Sequence, residues 1–166
     1  MRAFLIALTA LVVSSCATVQ KLDAAADVHA LLVAIRDDDR ATFEQLVDRR
    51  ALSLEIEERL RLEARHDGRL AALAAVLAPG LARAAGDVLV QPGVFRAVAA
   101  QHGYSRDTKI PPPLYISQAL RRMPDGRVCA VVKKEGPCTL VFALSPDGRW
   151  RLSGFEGDVS MLRLSR

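Results

Sequence analysis

Cysteine is the residue of this sequence whose chemistry is easiest to anticipate. In an oxidising compartment an even pair such as Cys129 and Cys138 first suggests a disulfide, and two free, buried thiols are the alternative. Zinc is disfavoured because neither a C-x-x-C motif nor a histidine pair at ligand spacing accompanies them. A direct cross-strand bridge would need Lys133-Lys134 at the hairpin centre, whereas "EGP" at 135–137 predicts a later centre. The pair therefore predicts a disulfide, with the hairpin register left open.

The third cysteine, Cys16, ends an apolar run close to the N-terminus. Met1-Arg2 give a positive start, residues 3–13 form an apolar core and Ser14-Ser15 are small. This order is typical of a secretory signal, and the run is too short for a bilayer span, which takes roughly 20 apolar residues. A buried N-terminal helix is the alternative.

The residues Val13-Ser14-Ser15-Cys16 resemble the lipobox of bacterial lipoproteins. The resemblance implies that residues 1–15 are a cleaved signal peptide and that Cys16 is the site of lipidation, with diacylglyceryl and palmitate-type acyl chains. Two or three chains hold a protein on a membrane far more firmly than one. Ala17, in place of Asp, implies the outer membrane, facing the periplasm. An ordinary secretory signal with an incidental cysteine is the alternative.

The composition of the remaining chain favours one folded domain. Hydrophobic residues make up 51% of the sequence, which argues against disorder, and the net charge of +4 is spread along the chain. We therefore expect no nucleic-acid partner. The predicted partners are the membrane, through the acyl chains, and a small apolar ligand or an envelope protein.

We predict a lipidated tether at 16–22 and a single α+β domain at 23–166. The domain divides into a helical half (23–103), a proline-rich linker (104–113) and a sheet half (114–166). The expected fold packs N-terminal helices on a C-terminal four-stranded antiparallel meander. The predicted order of elements resembles that of cone-shaped α+β folds, typified by nuclear transport factor two and limonene epoxide hydrolase. This likeness concerns the fold alone and implies no function.

Helical periodicity organises the first half. The stripe predicted for the first helix consists of Leu22, Ala25, Ala26, His29, Leu32, Val33 and Arg36. Asp39 is expected to cap a second helix, which carries Phe43, Leu46 and Val47 on one face, and a third is expected from about Ser53. The Ala- and Leu-rich segment 69–90 predicts a buried helix that Pro79-Gly80 interrupts. A further helix is expected to begin near Pro92 and to close at Gly103.

The second half reads as strands of about eight residues separated by turns. Two "PDG" turns, at 124–126 and 146–148, are typical of tight antiparallel connections. The second turn predicts that Leu144 lies opposite Trp150 and that Phe142 lies opposite Leu152. The predicted core face also carries Leu140 and Cys138, and the opposite face carries Thr139, Arg151, Ser153, Val141 and Phe155.

Two stretches, "ALLVAIRDDDRATFEQLVDRRAL" and "LARAAGDVLVQPGVF", resemble an uncharacterised bacterial family, domain of unknown function 2939. The match covers roughly residues 28–96. It departs after Asp48, where the family tends to have an aromatic residue and proline and this chain has Arg49-Arg50. The resemblance implies no activity and no catalytic residues.

No catalytic residue, metal site or cofactor is predicted. His29, His66 and His102 are widely spaced, and a G-x-S-x-G elbow and a glycine-rich phosphate loop are both absent from the sequence. The acidic run 37–39 lacks the alternating ligands of a calcium loop, so we expect it to cap a helix.

Polar residues near the linker and the C-terminus could border a pocket. The predicted mouth consists of Tyr104, Arg106, Glu156 and Asp158, and an ordinary linker is the alternative for the first two. The expected function is an envelope lipoprotein with a non-catalytic binding or interaction role. The alternatives are a small pocket-containing hydrolase or isomerase of the cone-shaped α+β type, and a structural partner in an envelope complex.

Overall fold

The computed structural model describes residues 2–66, 90–101, 103–132 and 135–155. Within them the helices are α1 (Arg2–Asp37), α2 (Arg40–Leu46), α3 (Arg49–His66), α4 (Pro92–Gln101) and α5 (Pro113–Gln118). The strands are β1 (Leu120–Arg122), β2 (Val128–Val131), β3 (Cys138–Leu144) and β4 (Trp150–Gly154). Among these residues the helices precede a four-stranded antiparallel sheet in the order β1-β2-β3-β4. The predicted α+β class and meander are confirmed.

The first strand is shorter than predicted because residues 113–118 form α5. Pro113 begins this helix, where its missing N–H and fixed φ are tolerated. Ile116 is buried against the core, which favours a helical turn at this point. The strands span three to seven residues, not about eight.

Both predicted "PDG" turns are present. Gly126 and Gly148 adopt positive φ angles of 86° and 81°, a region that glycine occupies without strain. The amide of Gly126 donates to the carbonyl of Met123 (3.1 Å), and the amide of Gly148 donates to that of Ser145 (2.9 Å). The two turns therefore close the β1–β2 and β3–β4 hairpins at the same end of the sheet.

The β3–β4 register is confirmed. Leu144 pairs with Trp150, and Phe142 pairs with Leu152. Two side chains nevertheless depart from the predicted faces. Leu144 is 53% exposed because it lies at the rim of the sheet, beside the turn. Phe155 packs against the main core, since the chain has left β4 there and the ring contacts an arginine of α3.

A β-bulge changes the face on which Cys138 lies. Ala130 pairs with Leu140, whereas the next residue, Val131, pairs with Cys138, so β3 holds one extra residue. The predicted placement of Cys138 beside Leu140 was therefore wrong. The bulge turns Cys138 to the face that carries Cys129.

The predicted disulfide joins Cys129 and Cys138, whose Cα atoms are 5.5 Å apart. Both cysteines are buried, and with Val141 they form a small cluster on the sheet face opposite the main core. Met123 and Val131 pack against this cluster. The bulge explains how the bridge coexists with the late "EGP" turn.

The main core lies between the sheet and the helices α1 and α2. Its largest fully buried side chains are Trp150, Phe43, Phe142, Leu46 and Leu152. The stripe that α1 contributes differs from the predicted one: it consists of Ala24, Ala25, Val28, Leu31 and Ala34. Leu22 and Ala26, predicted on the buried face, are exposed.

Hydrogen bonds from Trp150 explain why the buried face of α1 differs from the predicted one. The indole Nε1 of Trp150 donates to Asp23 Oδ2 (3.0 Å), and the Trp150 backbone N–H donates to Asp27 Oδ2 (2.7 Å). These two aspartates lie one turn apart, so both hydrogen bonds form only when this side of α1 meets β4. The polar pair therefore helps to fix which side of α1 packs on the sheet.

Further hydrogen bonds lie along the outer edge of β4. The amide of Asp48 donates to the carbonyl of Leu152 (2.9 Å), next to a parallel bridge between Val47 and Leu152. Beyond the strand, the amide of Phe155 donates to Glu55 Oε2 of α3 (3.1 Å). Polar groups of α1, α3 and the α2–α3 junction thus take the place of a fifth strand.

Aspartates begin both middle helices. Asp39 caps α2, as predicted, and accepts a hydrogen bond from the amide of Thr42 (3.1 Å). The helix α3 begins at Arg49 and not near Ser53, because Asp48 Oδ1 accepts a hydrogen bond from the amide of Ala51 (2.9 Å). Each cap satisfies an amide that would lack a partner in the first turn.

Residues 16–22, predicted as a tether, continue α1. Val19 and Leu22 are exposed, and Ala24 and Ala25 are buried. None of the helices that the structure describes is long and apolar enough to cross a membrane. The predicted helix at 69–90 lies outside the described residues apart from Val90, which is buried.

Candidate functional site

An open groove of about 430 Å³ lies between α1, α4 and the loop that follows α4. Its lining is mostly apolar. It consists of Leu32, Ile35, Arg36, Gly93, Arg96, Ala97, Ala99, Ala100, Tyr104, Ser105, Arg106, Thr108 and Ile110. Pockets for small molecules commonly have volumes of roughly 300–1,000 Å³ and apolar walls with a few polar groups, which this groove matches.

Aromatic packing and a glycine position the α4 wall. Phe95 of α4 contacts Phe43 of α2 edge to face, with ring centroids 5.4 Å apart. The helix ends where Gly103 takes a φ of 84° and its amide donates to the carbonyl of Ala100 (3.1 Å). The predicted closure at Gly103 is confirmed, and it turns the chain back across the groove.

The loop is held in a defined turn. The backbone N–H of Ser105 donates to Thr108 Oγ1 (2.8 Å), and the amide of Thr108 donates to the carbonyl of Ser105 (3.1 Å). The amide of Asp107 adds a bond to Ser105 Oγ (3.3 Å). These bonds fix the backbone on both sides of Arg106.

Three arginines lie in the lining. Arg36 is in the last turn of α1 and binds Asp37 through two hydrogen bonds, of 2.7 and 2.9 Å. Arg96 of α4 forms an ion pair with Asp38, with 3.2 Å between Arg96 Nη1 and Asp38 Oδ2. Asp38 has a positive φ of 61°. Arg106 has no carboxylate within salt-bridge distance among the described residues.

The pKa shifts of the α1 terminus reflect these charges. The hydrogen bonds from Arg36 are the main cause of the lowered pKa of the Asp37 carboxyl, and the attraction of Arg106 contributes further. The same hydrogen bonds raise the pKa of Arg36. The Arg36 guanidinium at the groove rim therefore stays charged at all physiological pH values.

The polar groups of the lining are hydroxyl groups and guanidinium groups. Tyr104, Ser105 and Thr108 supply hydroxyl groups, and the arginines supply donors. The described lining residues include no carboxylate, imidazole or thiol that could accept a proton from a hydroxyl nucleophile. Among all the residues that the structure describes, no group of His, Cys, Asp and Glu side chains is placed to hold a metal ion.

The structure brings together half of the predicted pocket mouth. Tyr104 and Arg106 line the groove, and the Tyr104 side chain is 57% exposed. Glu156 and Asp158 lie outside the described residues, as does His102. His29, which was predicted on the buried stripe of the first helix, is half-buried on α1.

The sequence analysis missed Arg96 and gave no role to Arg36. The sequence did mark Arg96, because it is the only charged residue of α4, "PGVFRAVAAQ". The signal for Arg36 was its position at the end of an apolar stripe, next to an acidic run. Their convergence could not be read from the sequence, since it depends on how α4 crosses α1.

Comparisons with protein-family models, with curated proteins and with solved structures find no match to this chain.

Proposed function

We propose that this protein is a lipid-anchored component of the bacterial cell envelope that binds a small apolar ligand without transforming it. The observation that carries the binding role is the groove between α1, α4 and the 104–110 loop, with its apolar walls. The envelope address is supported by the lipobox-like residues 13–16 and by the disulfide, which fits an oxidising compartment.

The proposed anchor is a set of acyl chains on Cys16, in the outer membrane and facing the periplasm. Val19 and Leu22, which follow Cys16, are exposed, whereas Ala24 and Ala25 are buried in the core. These two exposed side chains are free to approach a bilayer while the core stays intact. We also propose that the domain is related to the family domain of unknown function 2939, a relation that implies no activity.

An enzyme of the hydrolase or isomerase type is the less supported alternative. It would require Asp, Glu or His side chains to converge on the groove. The described lining offers Ser105 and Thr108, whose hydroxyl groups are 3.4 Å from each other, but no carboxylate or imidazole is among the described lining residues. The geometry favours ligand binding.

A role in an envelope complex is supported by a separate observation. Leu114 and Tyr115 lie side by side on α5, and each is 63% exposed. Apolar side chains exposed together are a common feature of protein contacts. Crosslinking from position 115 in living cells would detect such a partner.

The binding role can be tested with a neutral, photoactivatable alkyl probe on membranes that carry the full chain. Labelling should map to the α1, α4 and 104–110 segments. Ala100→Trp, which fills the groove, should reduce labelling at least fivefold. The matched control is Ala26→Trp, at an exposed α1 site outside the lining. Equal labelling of both variants would contradict the proposal.

The anchor is tested independently by Cys16→Ser. The variant should lose incorporation of labelled palmitate because the thiol that carries the lipid is gone. It should also leave the membrane fraction. Retention of labelled acyl chains by this variant would show that Cys16 is not the lipidation site.

A further inference from the structure

We infer that the ligand of the groove is an anionic amphiphile with a single apolar chain, whose acid group is bound by Arg106. This inference rests on the proposed binding function and specifies the chemical class of the ligand. It is carried by the charges of the lining, by the turn that holds Arg106 and by the size of the groove.

The charges of the lining are asymmetric. Three of its residues are arginines, and none of the lining residues that the structure describes is acidic. Asp37 and Asp38 compensate Arg36 and Arg96 from outside the lining. Arg106 attracts the Asp37 carboxylate but makes no ion pair or side-chain hydrogen bond within the described chain, so its guanidinium donors are available to a ligand.

The backbone around Arg106 is already ordered. The bonds between Ser105 and Thr108 close a turn with Arg106 inside it. A guanidinium group binds a carboxylate or phosphate through two parallel hydrogen bonds, which are stronger than neutral ones. Because the turn exists before binding, little backbone entropy is lost when the acid group arrives.

The apolar part of the ligand would lie on the wall formed by Leu32, Ile35, Ala97 and Ile110. Ile110 also packs against the main core, so this part of the wall is firmly placed. The groove volume of about 430 Å³ lies in the lower half of the usual range, roughly 300–1,000 Å³. This size favours one chain over two.

The test uses a long-chain fatty acid that carries a diazirine and an alkyne, and its methyl ester as the neutral form. Both are applied to membranes that contain the full-length protein, and the labelled peptides are mapped by mass spectrometry. A lysophosphatidic acid with the same photoreactive chain is the phosphate form, and the anion that labels the groove more strongly identifies the headgroup. We expect both anions to label the groove segments at least fivefold more than the ester does.

Three substitutions assign the preference to Arg106. Arg106→Gln should lower labelling by the acid about tenfold, as expected for the loss of a charge-assisted hydrogen bond, and leave labelling by the ester unchanged. Arg106→Lys should restore part of the loss. Arg122→Gln, at an exposed site on β1, is the matched control and should change nothing.

The outcomes separate the two proposals. If the acid and the ester label the groove equally and Arg106→Gln has no effect, the binding function stands and the anionic class is overturned. If neither probe labels the groove, the binding function itself is wrong. A preference for the acid that survives Arg106→Gln would also overturn the role of Arg106.

Discussion

The indole nitrogen of Trp150 donates a hydrogen bond to Asp23 Oδ2 across 3.0 Å, although 127 positions separate the two residues in the chain. Trp150 is 1% exposed. We expect Asp23→Ala to lower the free energy of unfolding by about 1–2 kcal/mol, because it leaves a buried N–H without its partner. Chemical denaturation, followed by the fluorescence of this only tryptophan, measures the change.

Asp23→Asn is the matched control for this prediction. It removes the charge but keeps an oxygen that can accept the indole N–H, so it should cost clearly less than Asp23→Ala. Equal losses for the two variants would mean that the hydrogen bond does not stabilise the fold.

The bridge between Cys129 and Cys138 should stabilise the sheet. Replacing both cysteines with alanine is expected to lower the free energy of unfolding by about 2–3 kcal/mol, as the loss of a short closed loop would. Wild-type protein unfolded with a reductant should fall to a similar stability. The double variant should not respond to the reductant, and a response would contradict the assignment of the effect to this bridge.

Gly154 is placed where a side chain would collide with α3. A Cβ at this position would lie well inside contact distance of the Glu55 carboxylate, which accepts the amide of Phe155. Gly154→Ala should therefore cost about 1–2 kcal/mol of unfolding free energy through the loss of that hydrogen bond. In a Glu55→Ala background the same substitution should cost less. Additive effects in this double-mutant cycle would refute the proposed collision.

The Asp39 cap predicts an acid-dependent loss of stability. The Thr42 hydroxyl donates to Asp39 Oδ2 (2.6 Å), and this bond, with the Thr42 amide, lowers the pKa of the carboxyl. A carboxyl whose pKa is lowered in the folded state stabilises the fold at pH values above its unfolded pKa of about 4. This stabilisation is lost as the pH falls through the folded-state pKa. Wild type should therefore lose more stability than Asp39→Asn between pH 6 and pH 3. Urea midpoints at both values test this, and equal losses would contradict it.

Local signals in the sequence were sufficient for the turns and caps. The second "PDG" turn set the β3–β4 register, and Asp39 and Gly103 mark helix ends that the structure confirms. Each depends on residues within a few positions of one another, where the conformational preferences of Pro, Asp and Gly act directly.

Features that depend on distant residues could not be read in this way. The face of α1 is chosen by two aspartates that reach Trp150, and Cys138 changes face because of a bulge. The groove needs α1, α4 and the 104–110 loop to meet, so only Tyr104 and Arg106 were anticipated there. Charge pairing across elements, as between Arg96 and Asp38, has no local signature.

The hydrogen bonds along the outer side of β4 bear on how copies of the protein behave when crowded. An unpaired strand edge is a template for adding a strand from another chain, and proteins commonly cover it. Asp27, Asp48 and Glu55 occupy this edge, and the opposite edge strand, β1, is only three residues long and carries two exposed arginines. If acyl chains hold many copies in one membrane plane, these edges should resist edge-to-edge aggregation at a surface density that would favour it.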